Sequence, residues 1–131
     1  MLIELLNLTE RPGSLWLAEV RASFGHATVR WYGDRGAEPG EYHVEWTIDE
    51  DIIWGQNAIP TGGIGPGLRT RGLGAVLRGQ LSLTEDGAAL LDFDGTSILL
   101  DLADPLPEDV AGAWIELCIP REKVGLYPYA L

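Results

Sequence analysis

The chain has 131 residues, 46% of them apolar and 22% charged, with 20 acids against 9 bases. That is the length of one ordinary domain, with apolar content too high for disorder and sufficient for a core without metal or disulfide staples. A net charge of −11 is the reverse of the basic footprint a nucleic-acid binder normally shows, and an anionic lipid surface would repel it.

Nor does any apolar run reach the ~20 residues a membrane-spanning helix needs. Met1-Leu2-Ile3-Glu4 has no basic n-region, so no secretory leader is expected. Cys118 is the only cysteine, which leaves no internal disulfide and no thiolate metal cage; a cytoplasmic location is the simplest expectation. The charges are unevenly placed. Residues 38–51 hold six acids and residues 85–116 nine, with no lysine or arginine in either stretch.

In chain order, residues 2–9, 15–24 and 26–32 read as three strands, with Trp16, Ala18, Val20, Ala22 and Phe24 on one face of the second. A polar loop over 33–40 follows. Residues 41–48 alternate Tyr42, Val44, Trp46 and Ile48 inward against Glu41, His43, Glu45 and Thr47 outward. A turn at Asp49-Glu50 leads to a short strand over 51–54. Residues 55–74 contain seven glycines and two prolines, a composition that reads as a linker or loop. Alternation resumes over 77–84, then Glu85-Asp86-Gly87 makes a hairpin loop. Asp94-Gly95 is a two-residue hairpin turn that places Ala89, Leu91, Phe93, Ile98, Leu100 and Leu102 on one core face, with Asp92 and Asp101 on the other. A link over 104–112 contains Pro107, positioned to open one helical turn. Strands over 113–119 and 123–127 close the chain.

Both halves thus run strand-strand-strand, long link, strand-strand. Leu6–Gly13 resembles Leu81–Gly87, and Val44–Ile48 resembles Ile115–Ile119, at offsets of 75 and 71. The expected fold is all-β and antiparallel with about ten strands. It is read as one compact unit over 1–131, built from two tandem five-stranded OB-like repeats, 1–55 and 75–131, joined by the Gly-rich loop 56–74. A single β-sandwich is the alternative.

No residue pattern supports catalysis, a cofactor or a metal. The Gly-rich segment lacks the Gly-Lys-Ser/Thr of a phosphate loop. Glu41, His43 and Glu45 share a strand face, but with Cβ atoms ~6.5–7 Å apart they read as an exposed polar row. Cys118 has no neighbouring base and reads as inert. A protein-binding surface is the better expectation, with Trp114 as aromatic anchor and Glu116, Glu41, Glu45, Asp92 and Asp101 as its acidic surround. If a small ligand is bound instead, Arg69, Arg71 and Arg78, together with Arg30, would have to converge on a concave face.

Residues Gly112–Tyr127 resemble the closing hairpin of the small OB-like TOBE and MOP modules. The resemblance covers sixteen residues of hydrophobic pattern and carries no site residue. It implies an OB-like fold; those modules bind oxyanions, which a net charge of −11 does not favour. The expected function is therefore a non-enzymatic acidic protein that binds a basic partner, in the manner of an immunity protein or inhibitor. The alternatives are an OB-like module for a small molecule, oligosaccharide or nucleic acid, and a self-associating assembly subunit.

Overall fold

The alternating stretches become eleven strands in a computed structural model that describes residues 1–131. They are β1 (Leu2–Arg11), β2 (Leu15–Ala22), β3 (Gly25–Trp31), β4 (Gly40–Ile48), β5 (Ala58–Pro60), β6 (Gly67–Arg71), β7 (Gly74–Leu83), β8 (Ala89–Phe93), β9 (Thr96–Leu100), β10 (Trp114–Pro120) and β11 (Val124–Tyr129). The only helical element is a 3₁₀ turn over Arg121–Lys123. No helix is long and apolar enough to cross a membrane.

Five strands close a barrel. β1 pairs antiparallel with β2 and β4, β2 with β3, and β11 fills the gap by pairing antiparallel with β4 and parallel with β3. A bulge between Leu5 and Asn7 breaks the β1–β2 register, adding the bend and twist that closure requires. The remaining strands extend this barrel in one hydrogen-bonded sheet, β3-β6-β7-β10-β5, with the β8–β9 hairpin on β7. β6 and β8 share one edge of β7: β6 covers residues 74–78 and β8 covers 80–83. All eleven strands belong to one hydrogen-bonded sheet.

The turn chemistry behaves as the sequence predicts around the second half's hairpins. Asp94 and Gly95 both take positive φ, 49° and 82°, the primed turn that matches strand twist. Phe93 accordingly pairs with Thr96 and Leu91 with Ile98. Ala89, Leu91, Phe93, Ile98 and Leu100 are all buried.

Three expectations are corrected. The first barrel does not take its fifth strand from residues 51–54. Asn57 accepts a hydrogen bond from the Ile53 N–H and donates to the Asp51 carbonyl, holding this stretch in a turn. Only isolated bridges form there, Ile52 with Leu102 and Trp54 with Ala58. The fifth strand comes instead from the far end of the chain, so residues 1–55 do not close a barrel by themselves. The Gly-rich segment is not a plain linker, because it contributes β5 and β6, and its Ala58 and Leu68 are 0% and 4% exposed. Its glycines make room: a Cβ at Gly63 would lie 2.5 Å from the Arg78 guanidinium, whose Nε donates to the Gly65 carbonyl. Finally, Pro107 opens no helix. The link is a series of turns pinned to β7 by Gly112 N–H donating to Leu81 O and Gln80 Nε2 donating to Gly112 O.

A single apolar cluster runs through the molecule, drawing Ile3, Val20 and Trp46 from the barrel and Leu81, Phe93 and Leu117 from the rest. No polar residue is buried. Within the sheet, barrel and extension are hydrogen-bonded strands joined through one parallel bridge, Gly25 with Leu68. Gly25 has φ +147°, and a Cβ there would fall 1.9 Å from the Leu68 carbonyl oxygen. Gly25→Ala is expected to destabilise by about 2–3 kcal/mol, since backbone cannot step aside as a flexible side chain can. Chemical denaturation would check this, with Gly13→Ala, which meets nothing within 4 Å, as the comparison for backbone strain alone.

Candidate functional site

The outer face of β4 and β11 carries the most exposed aromatic surface of the barrel. The register sets Tyr127 opposite Glu45 and Tyr129 opposite His43. Tyr32, just past β3, is drawn alongside by its backbone N–H donating 2.9 Å to the Leu126 carbonyl. Its ring stacks on Tyr127 with centroids 4.4 Å apart and planes 1° from parallel. Gly125 leaves room for that ring, since a Cβ there would approach it to 2.5 Å. The Arg30 guanidinium lies 4.7 Å from the Tyr32 centroid, and the His43 ring is tilted against Tyr129 at 6.0 Å. Despite these contacts Tyr32, Tyr127 and Tyr129 remain 37%, 43% and 43% exposed. Glu41 and Glu45 stand exposed on β4 beside this band, and neither has an ion-pair partner.

Burial holds the Tyr32 phenol above its ordinary value of 10.0, against the opposing pull of Arg30. The neutral phenol is therefore favoured in the folded state. Stability tied to it is present below the ordinary value and lost as pH climbs through the folded one. An absorbance titration at the phenolate band is expected to show one late-ionising tyrosine, absent in Tyr32→Phe.

The second group of expected residues lies on β10, β8 and the stretch just after β9, with β10 six strands from β4 along the sheet path. Trp114, half-buried, sits opposite Gln80, which in turn sits opposite Asp92. Asp92 is exposed and accepts a hydrogen bond from Ser97 Oγ at 3.2 Å. Asp101 is exposed just beyond β9. Glu116, two residues along from Trp114, faces Arg78 across the ladder. It is not a free acid: Arg69 approaches it in fork geometry at 3.0 and 3.4 Å, and Arg78 lies at 4.0 Å. The hydrogen bond from Arg69 to Glu116 raises the guanidinium's affinity for its proton. The expected protein-binding residues thus form two separate surfaces, and Glu116 is neutralised within the fold.

The expected arginine set does not converge. Arg69 and Arg78 close on Glu116, Arg30 lies over Tyr32, and Arg71 faces a different cleft alongside Arg11 and Arg121. Sequence reading missed the tyrosine band because only pairing register shows that Tyr32, Tyr127 and Tyr129 are neighbours. It missed Arg11 and Arg121 for the same reason. Cys118 lines that cleft, half-buried, together with Arg71 and Arg121. No three His, Cys, Asp or Glu side chains come together in a way that could hold a metal ion.

No family model, no curated protein and no solved structure matches the chain. The likeness of Gly112–Tyr127 to TOBE and MOP hairpins therefore rests on hydrophobic pattern alone.

Proposed function

We propose that the protein is a non-enzymatic, cytoplasmic binding module that recognises a basic protein partner through the outer face of β4 and β11. The observation that carries this reading is the exposed band of Tyr32, Tyr127 and Tyr129 with unpaired Glu41 and Glu45 beside it. Tyrosines supply large rigid contact area, and interface anchors are enriched in them. Flanking carboxylates without internal cations are free to steer and orient a basic partner. Only Glu4 and Glu116, of twenty acids, are ion-paired inside the fold, so the negative field is left for something outside it. An immunity protein or inhibitor masking a basic protein is the narrower form of this reading. The acidic surface of Trp114, Asp92 and Asp101 would be a second, weaker contact.

On this reading the fold is OB-like and internally repeated. Support comes from the barrel's composition, a three-strand meander closed by a last strand parallel to the third. Further support comes from correspondence between halves. β11 crosses between β3 and β4, while residues 52–60 reach Leu102 just after β9 and pair with β10. Two ancestral units would then have exchanged their fifth strands.

The test is capture from native lysate by wild type and by the Tyr127→Ala/Glu45→Lys double variant, at low and high salt. A stoichiometric basic protein retained by wild type, released by salt and lost on the double variant is expected. Retention that ignores both salt and the double variant would overturn the reading.

A further inference from the structure

The cleft between the β1–β2 turn, the β6–β7 turn and the end of β10 has a volume of about 580 Å³. Its walls come from three distant parts of the chain: Arg11 at the end of β1, Arg71 at the end of β6, and Arg121 just after β10. These are three of only nine basic residues in a chain of net charge −11. None makes an ion pair or a side-chain hydrogen bond within the protein, although unpaired carboxylates abound elsewhere. One acid, Glu122, shares the cleft. Gathering like charges is unfavourable unless something of opposite sign offsets it. Its accessible apolar lining comes from Pro12, Leu15 and Pro120, and Leu73 stands 72% exposed at its rim.

We infer that this cleft binds a small organic anion, an oxyanionic head group held by Arg11, Arg71 and Arg121 with an apolar body lying against Leu15, Pro120 and Leu73. Guanidinium groups suit the head group because each presents a planar fork of donors to paired oxygens. The volume falls within the ~300–1,000 Å³ typical of small-molecule sites. A free inorganic oxyanion would use the arginines but leave the apolar lining uncovered, so the site favours an ion with a hydrophobic body. A smaller polar recess, about 230 Å³, adjoins the cleft, shares Arg11, Leu17 and Arg121, and adds Thr9, Thr28 and the pair Asn7 and Glu19, in which the Asn7 amide donates to the carboxylate. It would take a hydroxyl or carbonyl substituent. The inference does not depend on the protein-binding reading, whose residues lie elsewhere.

The probe is 1-naphthoate, compared with neutral 1-naphthylmethanol and with inorganic phosphate, followed by backbone amide shifts in ¹⁵N-labelled protein. Naphthoate is expected to shift the amides of Leu73, Gly74, Cys118 and Arg121 with a Kd of about 1 mM or tighter. Arg71→Gln and Arg121→Gln are each expected to weaken it roughly tenfold, while Arg35→Gln, outside the cleft, leaves it unchanged. Spectra with native dispersion show that these surface variants fold. Equal binding of the neutral alcohol would overturn the role of the arginines. Phosphate binding as tight as naphthoate would overturn the role of the apolar lining. Absence of any cleft shift at millimolar naphthoate, or a dimer that covers the cleft and ignores naphthoate, would overturn the site itself.

Discussion

A chain ending before Val124 is expected to have no cooperative thermal transition and to show a collapsed, poorly dispersed amide spectrum. The lost segment is short, but it is the only strand that closes the barrel. β11 pairs with β4 along six residues and with β3 along two. Val124 and Leu126 are fully buried. Two such apolar side chains account for about 3–6 kcal/mol of burial. Opening both ladders also uncovers Trp31 and Trp46, now 4% and 5% exposed, and leaves two sheet edges unpaired. Against a total stability of roughly 5–15 kcal/mol the sum of these losses is decisive. Adding a synthetic peptide of residues 123–131 in trans is expected to restore the transition, because the closing strand enters from outside the meander. A truncated chain that melts cooperatively within a few degrees of full length would show that the barrel closes without β11.

That dependence was only partly legible in the sequence. Strand existence and facing were readable wherever alternation was clean, as in Tyr42–Ile48 and in the hairpin around Asp94-Gly95, where turn chemistry also fixes register. Partner choice was not. Asp51–Trp54 and Val124–Tyr127 both look like short strands following a turn, and nothing local says which one fills the barrel. The choice is made by tertiary fit: Gly125 admits the Tyr32 ring, whereas the Asn57 side chain ties residues 51–57 into a turn. The Gly-rich segment was misread for a related reason. Glycine reports conformational freedom in a sequence, but at Gly63 and Gly67 its use is the absence of a side chain where Arg78 must pass. The arginine cleft lay out of reach of pattern reading, because residues 11, 71 and 121 share no local motif. Glu116 shows the converse. No lysine or arginine stands between Arg78 and Glu116 in the sequence, yet cross-strand pairing supplies it with two cations.

Phe93→Ala is expected to cost about 3–5 kcal/mol while leaving a single unfolding transition. Phe93 is 0% exposed at the end of β8 and is the side chain on which the barrel and its extension meet. It contacts Phe24 edge-on at 5.1 Å and Trp46 edge-on at 5.3 Å, and both of those belong to the first half of the chain. Part of the expected loss is the cavity, and part is the two aromatic pairs, each worth about 0.5–1.5 kcal/mol beyond buried area. For a domain of this size the midpoint should fall by roughly 10–20 °C. The form of the transition is the sharper test. Trp16, Trp31 and Trp46 report on the barrel strands, and Trp114 reports on β10. If the apolar cluster makes one cooperative unit, tryptophan fluorescence and far-ultraviolet dichroism will give coincident transitions in the variant as in the wild type. Separate transitions would mean that Phe93 alone had been coupling two independently stable parts. A cycle with Trp46→Ala separates the direct pair from the shared cavity, and a coupling of about 1 kcal/mol is expected if the edge-on contact is made in solution. The pair bridges segments 47 residues apart in the sequence, so that coupling would measure how far the second half's hairpin is needed to complete the core of the first.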